Sequence, residues 1–436
     1  MAGNVIQKDF YGFVVDSGGN VIGAVNKLGV VSPIGSIPDS AHLAQHAAYA
    51  ASGANQAAHA LEHQGLGVGP VPSVVNNSVG AATANTTAIQ AALNTGLASL
   101  TVPGVVYINA TLSMPSNSEL YIGSGVTLKL APGSNCSMVR NSSYLGASLA
   151  TVTITSTNNQ ATGVWTGHGK PIGSKQWLTI GGASQYEYNG TFYVKFTDAN
   201  SFVYTLETTP ATTTATGTIN TYAADHDIKV WGPGAIDYNY TNNSGGGSSP
   251  AAHAVIFNRV GNARYEVRQN FNVLKYVVLF ADCSGYSTGS LWFNTASDGV
   301  HIQGPSRGIA NIGDLDGYCG DDMCSLTCGD YAAYQVSIGE IGHVKIGVIK
   351  GENSAVALLK ITGGAGPKVR KVEVAGLQGS CVAEPIAIIE DTYGGATLTA
   401  TYIEHLIVRN AQPWIDRKST RLNSSHLKLS RMPSSA

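Results

Sequence analysis

Beyond residue 100 the apolar positions fall in short β-prone runs at 105–108, 120–122, 126–130, 228–231, 255–257 and 277–280, separated by Gly, Asn and Pro turns. The same texture continues at 299–302, 323–326, 344–349, 356–361, 369–374, 386–389 and 406–408. No segment of helical period interrupts these runs. Many strands without crossover helices predict a sandwich, a barrel or a parallel β-helix. Spacing favours the last. Val300 to Met323 and Val344 to Val369 are offsets of 23 and 25 residues, within the roughly 20–30 residue period of solenoid repeats. In such a coil, residues at one repeat offset stack above each other, so apolar strings fill the bore and turn residues project outward.

Two segments, 1–80 and 150–222, depart from this rhythm, and 81–149 joins a capping helix to the first coils. Residues 1–80 combine small strands, an Ala-rich run at 41–63 with apolar gaps of four and three, and a Gly/Pro/Asn linker. They read as an attachment or stalk region, with the Ala-rich run either an oligomeric stalk or a solitary amphipathic helix. His42/His46 and His59/His63 read as exposed helix residues rather than metal pairs. Residues 81–149 open with a short helix at 85–93, Asn85 as its cap and Ile89 and Leu93 on one face, which would plug the first coil and hide a strand edge. Residues 150–222, rich in Thr and Tyr, predict a small inserted β-domain, and its HGKPIG…LTIGG…YEYNGTFYV…SFVYTLETTPATTTATGTI resembles a module that recurs in phage structural proteins. Residues 223–415 return to the solenoid texture.

The tail 416–436 breaks sharply in character, with five basic residues against one acid. It resembles a translated sequencing-adapter read-through and is set aside from fold reasoning. Only 12% of residues are charged and the formal net charge is -2. That offers no electrostatic footprint for nucleic acid or an anionic membrane. No stretch approaches a membrane span, and residues 1–10 lack the features of a secretory leader. The six cysteines are too few for a disulfide scaffold, and Cys319, Cys324 and Cys328 read as buried thiols. No cofactor or metal is expected.

The candidate chemistry lies in two acidic motifs. Asp298 in TASDGVHIQGP precedes Asp322 in GYCGDDMCSL by one presumed coil, and Asp321 adjoins it. Stacking would put three carboxylates on one wall. Glycoside hydrolysis needs one protonated and one ionised carboxyl, at ~6.5–9.5 Å for inversion. Like charges held together raise one member's pKa and so supply the acid. Asp beside Gly is also a common turn residue, but three such residues with His301 nearby point to a task.

These motifs carry a resemblance. NTTAIQAAL, VWGPGAID, SDGVHI, CGDDMCSL and LLKITGG…VRKVEV, in that order, resemble the pectin-lyase-like, polygalacturonase-type right-handed β-helix, most closely its phage tail-spike depolymerase variety. The resemblance implies Asp321 as general acid, Asp298 and Asp322 as the pair that activates water, and Lys360 as a substrate-binding lysine. Leu358 stands where the family has Arg, and Ala333-Tyr334-Gln335 where it has Gly-His-Gly. His301, Trp292 and Tyr238 are further substrate-binding candidates, the aromatics by stacking on sugar rings.

The expected protein is therefore an inverting glycoside hydrolase of a host-surface polysaccharide, carried on the phage tail as a homotrimer. The alternatives are a non-catalytic receptor-binding spike, a metal-dependent polysaccharide lyase, or a secreted extracellular enzyme.

Overall fold

The structure, a computed structural model, describes residues 4–8, 11–15, 21–25, 31–33, 71–245, 251–331, 333–363, 366–389, 392–393, 396–397 and 403–415. The Ala-rich run at 41–63, its histidine pairs and the tail 416–436 lie outside these. The chain divides into two compact units, Met1–Gly69 and Pro70–Ala436. In the first, strands Asn4–Lys8, Tyr11–Val15, Val21–Val25 and Val31–Pro33 pair in sequence order as an antiparallel sheet.

The second unit is built from three ladders of parallel strands. The chain visits them in turn. Leu97–Leu100, Gly104–Ile108 and Leu112–Met114 open the first, second and third ladder, and Glu119–Ile122, Val126–Leu130 and Val139–Asn141 pair with them one rung on. The pattern continues to Ile403–Ile415, where one long strand pairs with Val369–Cys381. Alternation sets what each strand buries. In the third ladder Val300, Ile302, Cys324, Leu326, Leu359 and Ile361 join the common core, while the residues between them face outward. All six cysteines are free thiols, and Cys319, Cys324 and Cys328 are buried in that core.

The sequence spacing misjudged the register. Val300 pairs with Cys324, not Met323, and Val344 with Val372, not Val369. Turns of unequal length separate the strands, so the distance between first apolar residues is not the repeat.

Helix α1, Ala82–Leu93, packs Ile89, Ala92 and Leu93 onto the first rungs. It begins earlier than expected, and Asn85 is no cap. That side chain is fully buried, accepts from Val75 N–H at 2.8 Å, and donates to the carbonyls of Val75 at 3.0 Å and Tyr107 at 3.1 Å. The helix thus ties the preceding segment to the ladder end.

Between Asn141 and Asp225 the chain leaves the ladders to form a seven-stranded antiparallel sheet, from Ser148–Thr151 to Asn220–Ala223, with its own apolar core. At its neck the Asp225 carboxylate accepts from Asn141 Nδ2 at 2.9 Å, Ser143 N–H at 2.6 Å and Ser116 Oγ at 3.1 Å. The sheet is clamped to the ladder turns by Arg307, whose buried guanidinium donates to the carbonyls of Asn189 and Tyr186.

Candidate active site on the third ladder

The register brings the two acidic motifs together. Gly299 N–H donates to the Asp322 carbonyl at 2.9 Å, and Val300 pairs with Cys324, so Asp298 lies one rung from Asp322. His301, Ser325 and Lys360 follow one another across three rungs of the same ladder. Rungs are about 4.8 Å apart, and the structure accordingly brings one carboxylate oxygen each of Asp298, Asp321 and Asp322 within 4.8 Å of one another. This is closer than the ~6.5–9.5 Å separation on which the expectation of inversion rested. Such spacing of oxygens would also suit a hard cation. Here the Lys360 Nζ, 3.2 Å from Asp322 Oδ2, supplies positive charge.

Burial separates the three acids. Asp298 and Asp322 are 2% and 0% exposed, whereas Asp321 is only partly buried and is the one an incoming ligand can reach. Burial, then the charge of Asp298, raises both Asp321 and Asp322 against the pull of Lys360. Asp322 is pushed up to about 7, so the pair retains a proton near neutrality. Burial would lower Lys360, but Asp322 foremost raises it to about 12. The ammonium lies at ion-pair distance yet off the hydrogen-bond direction, and neither Asp322 oxygen receives a hydrogen bond.

His301 was expected to touch substrate, and burial overturns this. It is 1% exposed and both ring nitrogens are occupied, Nδ1 by a hydrogen bond with Asp298 Oδ2 at 2.7 Å and Nε2 by one with Thr327 Oγ1 at 3.3 Å, with Asp330 Oδ2 at ion-pair distance, 3.1 Å. Burial alone would lower it, but Asp330 and Asp298 outweigh that and push it up to about 9. Tyr238 is likewise excluded from the surface. It sits fully buried in the main core just past the strand Asp225–Asp237, with its hydroxyl donating to the Ala251 carbonyl. Trp292 is half-buried on the second ladder, edge-on to Phe271 at 5.5 Å, and is not part of the third-ladder cluster.

Sequence reasoning missed the supporting residues. Gln303 stands inside TASDGVHIQGP and Asp330 eight residues past Asp322, but neither was singled out, and what joins them with Tyr276 is the packing of Asp330, Tyr331 and residues 333–338 over the third ladder. Gln303 Oε1 accepts from Val336 N–H at 2.8 Å, and its amide donates to the Tyr334 carbonyl at 3.0 Å and to Asp330 at 2.7 Å. Tyr334 and Val336 pack on the outward residues Ile256, Leu279 and Ala281. An outward apolar patch on this ladder was the available signal. Beside Lys360, a depression is lined by Thr327, Gly329, Asp330, Tyr331 and Thr362. Leu358 points into the core.

No family model matches the chain, and no curated protein matches it. Among solved structures it is similar to a tailspike of the Acinetobacter baumannii bacteriophage AP22, solved with a capsular saccharide, at 13% identity over 75% of this chain and 74% of that one, TM-score 0.32. It is similar to a tailspike of Pseudomonas phage LKA1 at 12% identity over 76% and 71%, TM-score 0.30. A third is a Family 28 exopolygalacturonase of Yersinia enterocolitica, at 11% identity over 80% and 61%, TM-score 0.37.

Proposed function

We propose that the chain is a polysaccharide depolymerase, with the three ladders forming a right-handed parallel β-helix and the third-ladder wall cutting a glycan by hydrolysis. Parallel crossovers within one sheet are right-handed in about 98% of cases. The observation that carries the reading is the convergence of Asp298, Asp321 and Asp322 within 4.8 Å, with two of them raised. Carboxylates crowded in this way share a proton, so one member can donate to a departing glycosidic oxygen while another draws a proton from water. Asp321, the accessible member, takes the acid role. Asp298 and Asp322 hold the water, and Lys360 keeps Asp322 in place. The host is a phage tail spike acting as a homotrimer on a surface polysaccharide.

A second reading, a spike that binds glycan without cutting it, is favoured by Leu358. The position where the polygalacturonase-type pattern has Arg is buried in the core, and Lys360 is engaged with Asp322. Digestion of a panel of capsular polysaccharides and pectins, with mass readout of the fragments, tests the proposal. Saturated fragments are expected. Unsaturated fragments would mean elimination, and intact glycan that nevertheless binds would leave the passive spike. Proton NMR of the first product reads the stereochemistry from its anomeric form.

A further inference from the structure

Behind the carboxylate trio lies a fourth acid. Asp330 Oδ2 accepts from Gln303 Nε2 at 2.7 Å and from the Tyr276 hydroxyl at 2.9 Å, and lies 3.1 Å from His301 Nε2. Asp330 Oδ1 accepts from Tyr331 N–H at 2.8 Å. These donors come from separate segments of the chain, so the carboxylate cannot turn without breaking several bonds at once. His301 is equally fixed. Its ring stacks on Tyr276 at 3.8 Å and 10°, and Tyr276 stacks in turn on His253 at 4.4 Å and 11°. Its far nitrogen, Nδ1, reaches Asp298 Oδ2 at 2.7 Å. Nε2 also meets Thr327 Oγ1 at 3.3 Å, and the ring engages the carboxylates on both sides when it donates from both nitrogens.

We infer that Asp330 is a positioning residue which, through His301, sets the angle of the Asp298 carboxylate toward the water it activates. The inference rests on the hydrolase reading of the same site. Asp330 is buried at the edge of the depression beside Lys360, and both its oxygens accept hydrogen bonds from the protein. It holds the ring, the ring holds Asp298 from behind, and Ser297 Oγ at 3.1 Å holds the other oxygen. A misplacement of about 1 Å at a reacting group costs roughly 100-fold in rate, which is the size of effect this bridge would prevent.

The test pairs kinetics with a spectrum. In Asp330→Asn, kcat is expected to fall about 100-fold with KM nearly unchanged, because the carboxylate oxygens are spent on Gln303, Tyr276 and Tyr331. Nitrogen-15 NMR of labelled histidine should show His301 protonated at both ring nitrogens in the wild type and at fewer in the variant, with His301→Gln identifying the signal. Should Asp330→Asn not fold, Tyr276→Phe removes one donor to Asp330 and keeps the ring stack. A smaller fall in kcat alone is then expected. Unchanged kcat in the folded variants, a rise in KM that accounts for the loss, or a singly protonated His301 in an active wild type would each overturn the inference alone. A wild type that releases no sugar from any glycan would sink the hydrolase reading and the positioning role with it, and the NMR would still report whether the bridge exists.

Discussion

The first and third ladders come from the same repeat but handle charge in opposite ways. On the first, Lys229 pairs with Glu266 at 3.0 Å and rides over Trp231 at 4.4 Å, and His343, Lys371 and Arg409 surround Glu373, all within reach of solvent. Such pairs solubilise a surface and add little stability. Beside the third ladder, four carboxylates are drawn into the protein against one lysine and one histidine. Withdrawing charge from water is costly unless it is fully compensated, and neither oxygen of Asp322 receives a hydrogen bond. A chain that is otherwise sparing with charge has no stability reason for this, which is why the third ladder, and not the decorated first, is read as the working surface.

The largest expected effect is on the third ladder. Asp321→Asn should lower sugar release by about 1000-fold with an unchanged unfolding curve. Undiminished reducing-end production would remove Asp321 from the acid role. Next, Lys360→Met strips Asp322 of its cation. Asp322 already holds its proton up to about 7 when folded, against about 3.9 unfolded, so its contribution to stability falls as pH rises between those values. Without Lys360 the variant should lose about 3 kcal/mol at pH 8 and clearly less at pH 5, measured by urea unfolding. A loss independent of pH would mean Lys360 contributes packing only.

A third substitution probes the joint to the antiparallel sheet, where burial pushes Asp282 up to about 7 and Thr191 donates to its carbonyl at 2.7 Å. The wild type loses stability through this group as pH rises from about 4 to 7. Asp282→Asn should be free of that loss and more stable by about 2 kcal/mol at pH 8. Parallel pH profiles would show that the joint accommodates the charge. Smallest of all, Glu266→Gln on the first ladder should cost under about 1 kcal/mol, less in high salt, and leave sugar release unchanged. A large loss there would erase the contrast between the ladders.

Much of this arrangement was legible in the residues. Short apolar runs between turn residues announce stacked strands, because side chains alternate about a strand and only one face needs to be apolar. Asp298 and Asp321-Asp322 were readable as one group because a repeat places equal offsets side by side. The register was not, since unequal turns shift Val344 onto Val372. Nor was the fate of Tyr238 or His301, because an aromatic or an imidazole suits a core, a surface or a buried network equally well, and only its neighbours decide.

By itself, then, the sequence determined the strand texture, the helix near the start of the ladders and the types of residue available for chemistry, all of which follow from local preference and periodicity. The tertiary structure alone decided which acid faces solvent, that Lys360 meets Asp322, and that Asp330 comes within 3.1 Å of His301. Those pairings join residues far apart in the chain, and their strength depends on burial, which no local pattern of residues records.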